Sequence, residues 1–417
     1  MRIILYGINY APEQVGIGKY SSELTNWLSA RGHNVRVITA QPYFPAWQIR
    51  ADYPNHYKHE HITGVLVHRC PLWVPRRPTG ITRLVHLASF ALSSLPLMLA
   101  QLGWRPDVIL TVAPAFFCAP GALLLGHLCG RRTITWLHIQ DFELDAAFEL
   151  GMLKGQLWRS LAEAWERYTL RGFDRVSSIS TAMVQRLQAK GIDPGRSLLL
   201  PNWVNLELIS PQLGRARFEN PYRRELGIGS DQLVLMYSGS MNKKQGLEML
   251  AEVIHKLADL PNLVWLLAGE GPTKTQLVEA TQGLPQVRHL SLQPIEKLND
   301  WLNAADIHLL PQKAEAADLV LPSKLLGILA SGRPVVACSP AGTELATLAE
   351  QAGACVNPED INSFAIALRK LIASPQRRAD AGKRARELAE KSFGLESILR
   401  EFECQLSSLV AESDKHI

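Results

Sequence analysis

The chain has 417 residues and only six cysteines, Cys70, Cys118, Cys129, Cys338, Cys355 and Cys404, with no Cys-x-x-Cys pair among them. Their scatter argues against zinc sites and a disulfide framework, and fits a reducing cytoplasm. No metal-ligand spacing and no Ser-His-Asp arrangement stand out, so the expectation is no metal and no cofactor. There is no short-period repeat. An apolar leader is missing too: Met1-Arg2 runs straight into Ile3-Ile4-Leu5-Tyr6, too short for a signal core. Charged residues make up 20% and apolar residues 47%, which describes an ordinary soluble globular protein. The length exceeds what one core usually serves and predicts two domains.

The net charge of +5 is uneven. Residues 1–132 hold thirteen Lys and Arg against five Asp and Glu, a net of +8, so the remainder carries −3. The basic quarter suits an anionic partner such as a membrane surface or a phosphorylated acceptor, or is a set of scattered solvated arginines. Nucleic acid is not expected, because no Arg/aromatic platform motif accompanies the charge.

Apolar runs alternate with amphipathic segments. Strands are predicted at Arg2–Ile8, Val35–Thr39, Val65–Arg69, Val108–Val112, Thr133–Leu137, Val176–Ser180 and Ser197–Leu200, with a helix at Gly16–Ala30. The pattern breaks over Pro201–Asp231 and restarts at Leu233–Met236. It continues through Leu263–Ala268, Val287–Leu290, Ile307–Leu310, Val335–Cys338 and Ala354–Val356, then turns helical. This alternation predicts an α/β fold of doubly wound parallel sheets, one on each side of the break. One stretch, Leu87–Trp104, carries no charge before Arg105. It reads as a buried helix, a membrane span, or a helix lying on a membrane. Arg76, Arg77 and Arg83 beside it suit the last, since a basic rim next to apolar surface attracts anionic lipid.

Several turns follow strands. Gly16-Ile17-Gly18 opens the first helix, but Ser21 stands where a dinucleotide fingerprint needs its third glycine. Gly239-Ser240 leads to Lys243 and Lys244, a helix-start turn with added positive charge that suits a diphosphate. Gly269-Glu270-Gly271-Pro272 is the matching turn after the next strand, with Pro272 fit for a first helical position. His138 and Asp141 close the strand at Thr133–Leu137 and could orient or deprotonate a hydroxyl. Asp318, Ser323 and Lys324 precede an apolar helix, with Ser323 placed to cap it. A cation at a helix start opposes the dipole unless an anion binds there.

These residues resemble the retaining nucleotide-sugar glycosyltransferases of GT-B family 4. The likeness rests on Tyr6–Tyr20, Gly32–Thr39, Leu137–Asp141, Phe173–Ser180, Pro201–Asn205 and Gly269–Pro272, in order over nearly the whole chain. The resemblance implies two Rossmann-like domains facing across a cleft: an acceptor domain at 1–205, a donor domain at 206–392, and a last helix, 393–417, packing back on the first. Within the family it is closest to exopolysaccharide fucosyltransferases. That implies a nucleotide-sugar donor, with GDP-fucose preferred over GDP-mannose or a UDP-sugar. It also implies a lipid-diphosphate-linked saccharide acceptor at the cytoplasmic face of the inner membrane.

By the same resemblance, His138, Asp141, Lys243 and Lys244 would serve catalysis. Gly16, Gly18, Gly239, Ser240, Gly269, Glu270, Gly271, Asp318, Ser323 and Lys324 would hold the donor. Arg76, Arg77 and Arg83 would face acceptor or membrane. Two features depart from the family. Leu319 and Gly327 stand where it carries paired glutamates, and Gln245 stands where it carries a lysine. The missing glutamates leave room for a non-catalytic sugar-nucleotide-binding protein. A sugar-nucleotide epimerase is the rival within the fold.

Overall fold

Strands buried on both faces read as unbroken apolar runs, and both sheets of this chain are built from them. The computed structural model describes residues 1–14, 16–76, 78–113, 116–130, 133–142, 156–212, 219–314 and 321–415. The first sheet takes β1 (Arg2–Gly7), β2 (Asn34–Ala40), β3 (Lys58–Ile62), β4 (Val65–Cys70), β5 (Val108–Ala113), β6 (Ile134–Ile139), β7 (Arg175–Ser178) and β8 (Ser197–Leu199). Their order is β3-β4-β2-β1-β5-β6-β7-β8. All pairs are parallel except β3 with β4. Every residue of β5 and β6 is buried. The edge strand β3 has no counterpart in the sequence reading. Its residues Lys-His-Glu-His-Ile alternate half-buried and exposed, so no apolar run announces it.

Three helices matter for this sheet: α1 (Gly16–Ala30), α2 (Gly80–Ala100) and α3 (Ala119–Cys129). Helix α1 buries Tyr20, Leu24 and Leu28 at the four-residue spacing of one face. Helix α2 buries His86, Leu87, Phe90, Ser94 and Met98, and a 2.6 Å hydroxyl contact ties Ser94 to Tyr6 of β1. Its outward side exposes Ile81, Val85 and Leu92. By length and composition this helix could cross a membrane, yet 33% of that window is buried in the protein.

The second sheet takes β9 (Leu233–Ser238), β10 (Leu263–Ala268), β11 (Val287–Leu290), β12 (Ile307–Leu310), β13 (Val335–Cys338) and β14 (Gly353–Val356). All its pairs are parallel, in the order β11-β10-β9-β12-β13-β14. One face packs Trp265 and Leu267 against Leu250, Ile254, Phe364 and Leu368; the other packs Val234, Met236 and Leu266 against Trp301 and Ala304. Apolar helices cover both faces, the doubly wound arrangement.

The chain divides into two compact units, Met1–Pro201 with Leu399–Ile417, and Asn202–Ile398. The first division falls a few residues before 205/206. Val204 N donates to Phe393 O (2.8 Å) and Val204 O accepts from Leu395 N (3.0 Å), which ties this segment into the second unit. The last helix, Leu395–Lys415, ends within the first unit. There Phe402 meets the Trp136 ring edge-on at 5.0 Å, and Glu403 pairs with Arg31 and His33.

Each sheet has a switch point, where the order of connection reverses. It lies between β1 and β5 in the first sheet and between β9 and β12 in the second. Ligands of open α/β sheets bind outside the carboxyl ends of the strands at such points.

Candidate active site

In the second unit, Gly239 and Ser240 leave the carboxyl end of β9 at the switch point. The helix Ser323–Ala330 follows β12 on the other side of it, and its Lys324 reaches back to the turn. Lys324 Nζ donates to Gln245 Oε1 (2.7 Å) and to Tyr237 Oη (3.1 Å), and lies 4.4 Å from the centre of the Tyr237 ring. Tyr237 in turn donates to Ser240 O at 2.5 Å, so one phenol locks the cation to the turn. A Cβ on Gly239 would stand 3.5 Å from Nζ. No carboxylate pairs with Lys324 among the described residues. Burial pulls its pKa down to about 7, because loss of water disfavours the charged ammonium.

Lys243 and Lys244 occupy a short 3₁₀ turn capped by Asn242, whose side chain accepts from Lys244 N at 3.1 Å. Both are exposed. Gly269 and Gly271 serve packing: a Cβ on Gly269 would fall 2.0 Å from Gly239 O, and one on Gly271 would fall 2.1 Å from Met241 O. They let the second turn lie backbone to backbone against the first, with Met241 N donating to Glu270 O (2.8 Å). The Glu270 carboxylate accepts from Lys274 Nζ (2.8 Å), which holds its pKa below the usual range. Pro272 stands two residues ahead of the helix Lys274–Ala280 rather than inside it.

Ser323 does not cap its helix. It is the first helical residue, Pro322 holds the cap position, and no side-chain capping bond forms. Asp318 and Leu319 lie outside the described residues. A Cβ on Gly327 would meet Leu302 Cδ1 at 3.2 Å and Ile209 Cδ1 at 3.9 Å, so a side chain there points into apolar packing.

In the first unit, Gly16 follows β1 at the other switch point with φ of +59°. Gly18 is a packing residue: a Cβ there would stand 2.8 Å from Glu13 Cβ. Glu13, absent from the sequence reading, is buried and organises this loop. Its carboxylate accepts from Asn9 Nδ2 (2.9 Å), Tyr43 N (3.0 Å) and Phe44 N (2.9 Å). Burial outweighs these bonds and raises its pKa. The motif carried no signal for this role of Glu13, since the two backbone N–H groups it holds lie 30 and 31 residues on.

His138 is the fifth residue of β6 and buried, and Asp141 is exposed two residues beyond the strand. Burial lowers the His138 pKa to about 3, so the ring is neutral at working pH. Its Nδ1 lies 2.9 Å from Ser177 Oγ, which also accepts from Trp136 Nε1 at 2.8 Å. Ser177 Oγ keeps a second lone pair, so it can donate to Nδ1 or accept from it, according to the ring tautomer. A neutral ring of such low pKa suits orienting a hydroxyl better than taking its proton. Arg76 and Arg83 are exposed, and Arg83 lies 5.9 Å from the Trp47 ring centre. Arg77 lies outside the described residues.

Comparison with known proteins matches this geometry to a family. Residues 15–203 match the glycosyl transferase 4-like domain, and residues 232–374 match the glycosyl transferases group 1 domain. The chain is 40% identical over 418 residues to the candidate colanic acid biosynthesis glycosyl transferase WcaI of Escherichia coli K12, covering 96% of this chain and 98% of that one. The chain is a GT-B glycosyltransferase of the family-4-like group. Among solved structures, sucrose-phosphate synthase from Thermosynechococcus elongatus superposes with a TM-score of 0.75 at 19% identity, over 99% of both chains. Anabaena HepE in complex with UDP and glucose does so with a TM-score of 0.67 at 15% identity, over 98% of this chain and 100% of that one. Both share the fold of this glycosyltransferase. The cation that reaches the β9 turn is Lys324, on the helix after β12.

Proposed function

We propose that this glycosyltransferase moves a sugar from a nucleotide-sugar donor to a lipid-diphosphate-linked saccharide during exopolysaccharide assembly, with fucose from GDP-fucose as the sugar. The observation that carries the donor half is Lys324, a half-buried ammonium with no carboxylate paired to it among the described residues, at the switch point of the second sheet. A diphosphate supplies the missing anion. As the sugar–phosphate bond breaks, negative charge grows on the leaving diphosphate, and a preorganised cation stabilises that state more than the ground state. Gly239 N donates to Ala268 O (3.0 Å), so the turn offers the Ser240 N–H, and Lys243 and Lys244 add a solvent-screened positive field. In this reading the charge is met without a metal ion.

The neutral ring of His138 hydrogen-bonds a sugar hydroxyl and fixes its position, while Asp141 supplies the ionisable group of that turn. The likeness to WcaI over nearly the full length supports the exopolysaccharide setting. The UDP-bound neighbour supports a nucleotide-linked donor. The outward apolar face of α2, beside Arg76 and Arg83, supports work at the inner face of the cytoplasmic membrane.

The test is product analysis. Incubation with GDP-fucose and polyprenyl-diphosphate glucose is expected to add one deoxyhexose to the lipid by mass. NMR is expected to show the donor's anomeric configuration retained. Addition of a different sugar would remove the fucose assignment, and an inverted product would remove the retaining mechanism.

A further inference from the structure

The first unit holds a cavity of about 880 Å³ beside α2, bounded by Trp47, Gln48, Trp73, Arg76 and Ser89. Its wall is fixed. Leu72 is bonded at both backbone atoms by Asn55, Nδ2 to Leu72 O (2.9 Å) and Leu72 N to Oδ1 (3.0 Å). Trp73 N donates to Ser89 Oγ (3.0 Å), and His86 Nδ1 lies 2.6 Å from Trp73 O. The Trp73 backbone is therefore pinned to α2 on both sides while its residue stays 46% exposed. Trp47 is held at φ of +52°, unusual for a bulky residue, with its ring against Tyr43 (5.6 Å) and His86 (5.4 Å). Such strain persists only where the surroundings over-determine it, and it gathers at binding sites.

Trp73 is exposed and Trp47 half-buried, and indoles are contact surfaces of low entropic cost whose faces suit the C–H faces of a sugar ring. Arg76 brings a cation to the rim, and no carboxylate pairs with it or with Arg83 among the described residues. Two unpaired guanidinium groups suit a diphosphate. Ser89 lines the cavity and stands four residues after Val85 and three before Leu92. These are neighbours on one helix surface, so the cavity borders the exposed apolar stripe of α2. The cavity also adjoins the switch-point loop: Phe44, three residues before Trp47, bonds Glu13 and lies 3.9 Å from a Cβ built on Gly16.

We propose that this cavity binds the saccharide-diphosphate head of an anionic lipid-linked acceptor, with the sugar against Trp73 and Trp47, the diphosphate at Arg76 and the lipid along Ile81, Val85 and Leu92. This rests on the glycosyltransfer reading above and names its acceptor subsite.

The test uses the full chain with polyprenyl-diphosphate glucose in neutral phosphatidylcholine vesicles. Vesicle flotation and transfer kinetics are measured for wild type, Trp73→Ala, Trp73→Phe, Arg76→Ser and Leu92→Glu. Wild type is expected to float with vesicles carrying the acceptor and not with plain ones. Trp73→Ala and Arg76→Ser are each expected to raise the acceptor KM roughly tenfold with the donor KM unchanged. Trp73→Phe is expected to restore most of that loss, and Leu92→Glu to abolish flotation. Acceptor KM values equal to wild type in Trp73→Ala and Arg76→Ser, with transfer intact, would overturn the subsite and leave the glycosyltransfer reading standing. Absence of transfer in wild type, with acceptor-dependent flotation still lost in Trp73→Ala, would keep the subsite and overturn the transfer reading. Self-association through α2, lost in Leu92→Glu and without any vesicle binding, would overturn the lipid assignment.

Discussion

At the scale of residues, Lys324 separates from the lysines that the sequence placed beside it. Lys243 and Lys244 are exposed, so water and salt screen them. Lys324 is half-buried, and its interactions act through a lower effective dielectric than those of the exposed pair. Lys324→Ala is expected to lower kcat roughly 10²-fold or more, as loss of a preorganised donor does. The double change Lys243→Ala with Lys244→Ala is expected to cost less than tenfold, with a loss that shrinks at high salt. Steady-state kinetics at two salt concentrations would check this ranking, and an equal or larger loss in the double variant would reverse it. The pKa of about 7 adds a sign. Free Lys324 loses its proton above pH 7, while a bound diphosphate holds it on. Donor binding then takes up a proton, and affinity is expected to fall as pH rises through 7, by up to about tenfold per unit. Tyr237 faces the same ammonium, but burial pushes its phenol pKa up, so it does not titrate in that window. The sequence announced Lys324 as a cation against a helix dipole. It could not announce the burial, because Tyr237 and Gln245 come from 87 and 79 residues away.

At the scale of elements, the strands were legible because burial on both faces demands apolar runs. The edge strand β3 was not, because it is polar and only half covered. The glycine turns were legible as turns but not in their purpose. Gly18, Gly269 and Gly271 make room for neighbouring backbone and side chain, a fact of tertiary packing. Ser323 looked like a cap, yet Pro322 sits at that position with extended backbone and the helix starts one residue earlier than a Ser cap would require. One element depends on charge. Arg223, in the helix Pro221–Glu225, is buried and pairs with buried Asp306 at the start of β12, while its Nε donates to Ala304 O at 2.9 Å. Asp306 also accepts from Val234 N (2.8 Å), so the pair fastens this helix to β9 and β12. Arg223→Met is expected to destabilise the second unit by about 3–5 kcal/mol, because it leaves a buried carboxylate without its partner. Urea unfolding would measure this, and a loss below about 1 kcal/mol would show that the pair is dispensable.

At the scale of the whole molecule, two doubly wound sheets each place a glycine turn at a switch point, and the chain divides its chemistry between them. The first unit carries a neutral His138, the Glu13-ordered loop and the basic, apolar surface around α2. The second carries the half-buried cation. This division was legible in the charge asymmetry and in the break near residue 201. The sugar was not, since specificity depends on shape that motifs do not describe. The most direct measurement is release of nucleoside diphosphate from GDP-fucose, GDP-mannose, UDP-glucose and UDP-galactose, each with and without polyprenyl-diphosphate glucose. Release of GDP from GDP-fucose alone, and only with the acceptor present, is the expected result. Donor consumption that ignores the acceptor, or tight donor binding with no release from any of the four, would contradict it.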